Sequence, residues 1–298
     1  MLEQLIASAL PYAPRALVGR VARRYIAGET IEDALACVRA LQQEGATATV
    51  AVLGEDIGDA SETELTVCEY LALIDALGQA DTTANVSIKL TSLGLDLSDA
   101  LCEARLATVL DRADLYSMFV RIDMESSRTT DATLAIWRGL RREGRERVGV
   151  VLQSMLRRTV DDARALAQEQ ASVRVCKGIY REPASIAYQD PDAVRASYLE
   201  TVRILLEGGS KVAVATHDER LIEAVWKLVD DTGSGELAEQ QMLLGVRESL
   251  RGELRADGRP VRVYVPYGAR WYEYSLRRLQ ENPKVAGHVA RATLGLDR

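Results

Sequence analysis

Apolar and polar positions repeat in a regular order once the chain has passed residue 45. Short β-branched runs stand at 46–53, 85–90, 118–124, 148–153, 173–179, 211–216, 241–246 and 261–265. Between and after them, apolar residues recur at helical spacing over 61–77, 97–112, 130–142, 159–168, 192–206, 219–229, 247–254 and 270–282. The runs read as near-continuous apolar stretches without strict polar alternation, the pattern of parallel strands covered on both faces. Several helix boundaries carry their own chemistry. Thr30 predicts the N-cap and Gly45 the stop of an amphipathic helix between them. Ser61-Glu-Thr-Glu64 reads as a capping box. Asp190-Pro191 opens what reads as the longest helix, with proline where its missing N–H does no harm.

Alternating strand and helix units of this number and length predict an α/β fold of the (β/α)8 TIM-type barrel kind. An open doubly wound sheet would show a Gly-rich phosphate turn after its first strand. The turn here, Gly54-Glu-Asp-Ile-Gly58, lacks the GxGxxG spacing, so that arrangement is rejected. With no linker or low-complexity boundary, the chain reads as one domain. Residues 1–44 form its N-terminal helical extension and 45–298 the barrel with the catalytic site.

Composition narrows the class. A net charge of −7, from 44 acidic against 37 basic side chains, argues against a nucleic-acid surface, which needs clustered excess cations. Cys37, Cys68, Cys102 and Cys176 are dispersed without zinc-like spacing and read as thiols of a reducing, cytoplasmic compartment. The two histidines, His217 and His288, exclude a histidine-rich metal site. No apolar run reaches membrane length, because Glu3, Pro11, Pro14 and Arg15 interrupt the N-terminal one. Arg15, Arg20, Arg23 and Arg24 make that segment basic and amphipathic. It reads as a surface helix, with peripheral contact to the inner face of an anionic membrane as the alternative.

In a barrel, polar residues at the C-terminal strand ends line the mouth where chemistry occurs. Along this chain they are Glu55, Lys89, Asp123, Gln153, Arg174 with Lys177 and Tyr180, Thr216-His217-Asp218, Gln241 just after Glu239, and Tyr264. Any one alone is more simply a boundary residue or a structural ion pair. Together they predict a polar mouth, because buried charges must be paired or bind something. Lys89, Arg174 and Lys177 against Glu55, Asp123 and Asp218 suit an anionic ligand. The last helix carries two stripes. Tyr272, Leu276 and Leu279 form an apolar one, and Tyr274, Arg277, Arg278 and Glu281 a polar one. The polar stripe reads either as a solvated face or as a grip on a small anion.

At these residues the chain resembles the monofunctional bacterial FAD-dependent proline dehydrogenases. The resemblance runs in order through Tyr-Ile-Ala-Gly-Glu-Thr (25–30), Leu-Gly-Glu (53–55), Ser-Ile-Lys-Leu-Thr (87–91), Arg-Ile-Asp-Met-Glu (121–125), Arg-Val-Cys-Lys-Gly-Ile-Tyr (174–180), Ala-Thr-His (215–217), Gln-Met-Leu-Leu-Gly (241–245) and Tyr-Ser-Leu-Arg-Arg-Leu-Gln-Glu-Asn (274–282). It implies the same barrel with the eighth helix over its mouth, and oxidation of L-proline to Δ1-pyrroline-5-carboxylate by hydride transfer to flavin N5. It also implies roles. Lys89, Arg277 and Arg278 would clamp the proline carboxylate, and Tyr180, Leu243, Tyr264 and Tyr274 would wall the ring. Asp123 would sit beside the pocket and orient its basic partners, Arg174 would approach N5, and Gln153 would bond the flavin edge. Lys177, Thr216 and His217 would hold the ribityl, phosphate and adenosine parts. Gly178, Gln241, Arg278, Glu281 and Asp123 are carried over as further flavin contacts, and Glu55 as a gate paired with Arg277.

The implied partners are L-proline, a quinone electron acceptor and a separate pyrroline-5-carboxylate dehydrogenase. The length leaves no room for the DNA-binding or aldehyde dehydrogenase domains fused to some relatives, so no nucleic-acid role is expected. The sequence departs from the family where Thr-His is followed by Asp218, which would put an acid near cofactor phosphates. It departs again at Ala238-Glu-Gln-Gln241, where aromatics are common, and in having Phe119 as its single phenylalanine. A hydroxyproline dehydrogenase, and a flavin-containing proline sensor with little turnover, are the competing readings.

Overall fold

In the computed structural model, residues 19, 24–54, 59–272 and 275 are described. Glu55, Tyr274, Arg277, Arg278 and Glu281 lie outside the described residues, so the predicted gate and most of the last helix do too.

Helix α1 (Ile31–Gln43) starts where predicted. Thr30 accepts from the Asp33 N–H, and Asp33 accepts in return from the Thr30 and Glu29 N–H groups, a reciprocal box that satisfies otherwise orphaned donors. The chain then alternates through β1 (Thr47–Val52), α2 (Ala60–Gln79), β2 (Asn85–Ile88), α3 (Asp99–Leu115), β3 (Val120–Ile122), α4 (Thr130–Arg142), β4 (Val148–Gln153) and α5 (Thr159–Gln168). It continues through β5 (Val173–Cys176), α6 (Pro191–Glu207), β6 (Val212–Ala215), α7 (Glu219–Thr232), β7 (Ala238–Leu243), α8 (Glu248–Ala256) and β8 (Val261–Tyr267). All eight strands are parallel and close into a barrel in sequence order, β8 pairing with β1 from Thr47↔Arg262 to Val52↔Tyr267. No helix among the described residues is long and apolar enough to cross a membrane.

Three local expectations are corrected. Helix α2 is capped by Asp59, whose carboxylate accepts from the Ser61 N–H at 2.8 Å, so Ser61-Glu64 is not the capping box. At 20 residues α2, not the 17-residue α6, is the longest helix described. Strand β7 begins at Ala238, three positions before its apolar run, because Glu239 and Gln241 point inward and hide it.

Taken as a set, the strands do alternate, against the expectation of continuous apolar runs. Arg174 on β5 reaches Ser87 on β2, Asp123 beyond β3 and Gln241 on β7, and Tyr264 on β8 reaches Asp123. Strands that are not neighbours can touch only through the barrel's interior, and residues two apart on a strand share a face. The inward set therefore includes Ser87 and Lys89, Arg121 and Asp123, Arg174, Glu239 and Gln241, and Arg262 and Tyr264. The other parity is aliphatic: Val50, Val86, Ile88, Val120, Ile122, Val150, Val173, Val175, Val214 and Val263 are buried with Leu73, Leu106, Trp137 and Tyr198 from the helices. The hydrophobic core is thus the shell between strands and helices, while the lumen is polar. Gly149 on β4 and Ala213 and Ala215 on β6 take inward positions beside the long side chains. Gly149 pairs with Arg121, and Ala213 lies between Arg174 and Glu239. Small residues on one strand make the room that long ones on the next require.

Helix α1 packs against β1 and β8. It covers the outer wall at the closing seam, the place a helix following β8 would otherwise fill. Trp271, Tyr272 and Ser275 are helical just beyond β8, with the Trp271 indole N–H donating to Glu29 at 2.7 Å.

Candidate active site

Asp123 is the hub of the upper lumen. One carboxylate oxygen accepts from Ser87 Oγ at 2.5 Å and Arg174 Nη1 at 2.6 Å. The other accepts from the Tyr264 hydroxyl at 3.0 Å and lies 3.8 Å from Lys89 Nζ. Burial would raise its pKa, but Arg174 and Lys89, with hydrogen bonds from Ser87 and Tyr264, outweigh that and hold it below the usual carboxylate range. Arg174 is oriented from both ends. Its Nε donates to Gln241 Oε1 at 2.6 Å, its Nη1 to Asp123, and its guanidinium carbon stands 5.4 Å from the Tyr264 ring centroid. Its Nη2 is buried without a hydrogen-bond partner.

Beneath this layer, Glu239 accepts from Gln241 Nε2 at 2.7 Å and pairs both oxygens with Arg262 Nε at 3.0 Å. Arg121 donates to the Val150 and Ser172 carbonyls and to Ser172 Oγ. Burial, reinforced by Arg174 nearby, lowers its pKa to about 9, which leaves it charged at neutral pH. Four inward cations, Lys89, Arg121, Arg174 and Arg262, thus face two carboxylates, Asp123 and Glu239, and the described lumen is net positive.

A second cluster stands at the ends of β5 and β6. Asp218 accepts from Lys177 Nζ at 3.1 Å and Arg195 Nε at 2.8 Å. Burial opposes its ionisation, and these two cations override that and keep its pKa low. The acid expected to repel phosphates is therefore itself neutralised, by Lys177 and by an Arg195 that also pairs with Asp192 at 2.6 Å. Thr216 Oγ1 accepts from the Asp218 N–H. His217 Nε2 accepts from the Leu243 N–H at 3.0 Å. Burial lowers the histidine to about pKa 4, helped by Arg247 and Lys177, so the ring is neutral and carries its proton on Nδ1.

The remaining predicted residues divide. Gln153, at the end of β4, donates to the Glu125 carbonyl at 2.8 Å. Gly178 has φ +98°, and a Cβ there would stand 2.5 Å from Met155 Sδ, so only glycine lets the chain turn off β5 so closely. Tyr180 is half-buried against Met155, Leu156 and Ala187. Ser87, Glu239, Arg262 and Arg195 are the structural partners that the sequence reading gave no role. A period-two reading of Ser87/Lys89, Glu239/Gln241 and Arg262/Tyr264 is the signal that finds the first three.

A flavin dinucleotide fits these residues on two counts. The buried Arg174 Nη2 has no partner, and Lys177 and Arg195, paired with Asp218 and Asp192, stand beside a glycine turn where their donors could meet phosphate oxygens.

Residues 34–291 match the family described as proline dehydrogenase. The proline dehydrogenase of Deinococcus radiodurans is 38% identical, with 99% of each chain covered. Proline dehydrogenase 1 of Bacillus subtilis strain 168 is 36% identical over 92% of this chain and 90% of its own. Among solved structures, proline utilization A from Bdellovibrio bacteriovorus, inactivated by N-propargylglycine, superposes with a TM-score of 0.82 at 24% identity over 88% of this chain. This chain spans 33% of that protein's length, and the likeness is one of fold.

Proposed function

The chain belongs to the proline dehydrogenase family, and from that premise we propose that it oxidises L-proline to Δ1-pyrroline-5-carboxylate with FAD as the hydride acceptor. The observation that carries this reading is the Lys89–Asp123–Arg174–Tyr264 constellation in a net positive lumen. An excess of fixed positive charge suits a substrate that enters as a carboxylate and a cofactor that gains negative charge. Bound FAD would supply N5, the acceptor of the hydride. The ring carbon beside nitrogen gives up that hydride and the nitrogen gives up a proton, which leaves the C=N bond of the product.

The chain's own residues bind, orient and hold charge. Lys89 would take the proline carboxylate together with Arg277 and Arg278, whose planar forks fix its direction as well as its charge. Tyr180, Leu243, Tyr264 and Tyr274 would wall the ring. Asp123, saturated by four partners and held at low pKa, is a poor proton acceptor. Its part is to hold Lys89, Arg174 and Tyr264 in register. Arg174, Gln153 and Gln241 would meet the flavin ring system, with Lys177, Gly178, Thr216 and His217 along its tail. A quinone-type acceptor would take the electrons and a separate pyrroline-5-carboxylate dehydrogenase the product, as the family resemblance implies.

The purified protein should be yellow, and anaerobic L-proline should bleach its flavin absorbance, with a quinone restoring it. A colourless protein, no bleaching, or faster bleaching by hydroxyproline would overturn this reading. Bleaching that no quinone reverses would make the protein a proline sensor instead.

A further inference from the structure

We propose that Glu239 is a positioning residue that fixes Arg174 through the side-chain amide of Gln241, an inference that rests on the flavin reading above. Glu239 meets no proposed ligand. It lies one inward position below Gln241 on β7, and both its oxygens face Arg262 Nε at 3.0 Å. Its Oε1 also accepts from Gln241 Nε2 at 2.7 Å, and Gln241 Oε1 accepts from Arg174 Nε at 2.6 Å.

The order of donors and acceptors leaves one arrangement. A carboxylate only accepts and a guanidinium only donates, whereas an amide has one end of each kind. With Glu239 below, Gln241 must turn its NH2 down and its oxygen up to Arg174. The flipped amide would set oxygen against carboxylate and N–H against N–H, replacing two hydrogen bonds with two repulsions. Arg262 holds Glu239 in this role, since its Nη1 is itself fixed on the Ala48 carbonyl at 2.8 Å. The chain Arg262–Glu239–Gln241–Arg174–Asp123 therefore runs across the lumen with each link setting the next.

Glu239→Gln keeps the shape and breaks the logic. Its amide oxygen would turn to Arg262, and its NH2 would then draw the Gln241 oxygen away from Arg174. Arg174 would keep Asp123 and Ser87 at one end and lose its acceptor at the other.

The test uses full-length, flavin-loaded protein and compares wild type, Glu239→Gln, Gln241→Met and the double variant. It reads the flavin midpoint potential, the limiting rate of flavin reduction by L-proline, and the proline Kd. For Glu239→Gln the midpoint should move to more negative values, because a loosened Arg174 favours the reduced flavin less. The limiting rate should fall about tenfold, as expected for one lost hydrogen bond to a charged group, with Kd changing less than about twofold. The double variant should match Gln241→Met alone, since the two act through one path. If Glu239→Gln does not fold, Glu239→Gln/Arg262→Met leaves no unpaired cation and should give the same negative shift.

A positive shift would mean that Glu239 acts only through its charge, and an unmoved potential with lowered Tm that it only braces the barrel. Either overturns the relay alone. A wild-type protein without flavin would overturn the proposed function, and the relay with it.

Discussion

His217 shows how a single side chain ties the site to the solvent pH. Its ring accepts from the Leu243 backbone through Nε2, a bond available only to the neutral form at that nitrogen. Burial, then Arg247 and Lys177, bring its pKa from 6.5 to about 4. Between those values the unfolded chain binds more protons than the folded one, so stability falls as the pH falls. The contribution is fully present above pH 6.5 and lost by about pH 4. Asp123 and Asp218 are depressed from 3.8, so their losses come at lower pH. Glu69, raised from 4.5 by burial, titrates inside the window with the opposite sign and equally in wild type and in a His217 variant. Across the window, the wild-type Tm should drop several degrees more than that of His217→Gln, which removes the titration and retains an acceptor. Thermal melts at closely spaced pH values measure it, and parallel curves for the two proteins would refute the assignment.

Strand β4 shows the same physics at the level of an element. Its inward Gly149 pairs with Arg121, and a Cβ there would meet that guanidinium and stand 2.6 Å from the Ser172 carbonyl and 2.8 Å from the Phe119 ring. The carbonyl is backbone and cannot step aside cheaply. Gly149→Ala should therefore cost about 1–3 kcal/mol, read as a lower urea midpoint, whereas an unchanged midpoint would mean that Arg121 is free to move. Gly149 also marks the limit of what was legible in the sequence. The eight strands were visible because their outward valines and isoleucines recur, and the polar residues at their ends pointed to the mouth. The inward polar layer was not, because Gly149, Val151, Cys176, Ala213 and Ala215 at inward positions of β4, β5 and β6 let those runs pass for continuously apolar. Glu239 fell outside the predicted β7 for the related reason that it and Gln241 interrupt the apolar run. Lys89, Asp123, Arg174, Gln241 and Tyr264 were each readable as chemistry-bearing residues. Their joining into one network is a property of closure, which brings β2, β3, β5, β7 and β8 to a common axis.

Closure itself depends on the first described helix. The seam between β8 and β1 joins strands far apart in sequence, and its outer face is covered by α1, which arrives from the N-terminal side. Ala34, Val38 and Leu41 are buried there. The Glu44 carboxylate adds an ion pair to Arg251 on α8, at 2.8 Å. We propose on this ground that α1 and the barrel form one cooperative unit. Leu41→Ala opens a cavity at the seam and should cost about 2–4 kcal/mol. That cost should lower the whole transition together. Trp137 on α4 and Trp226 on α7 are buried in the barrel shell far along the chain from α1. In the variant, made on a Trp271→Phe background because Trp271 bonds Glu29 just before α1, far-UV circular dichroism and tryptophan fluorescence should shift to lower denaturant by the same amount and remain superimposable. An early loss of helical signal while fluorescence stays native would instead make α1 a separately folding appendage, with the seam closed by the strands alone.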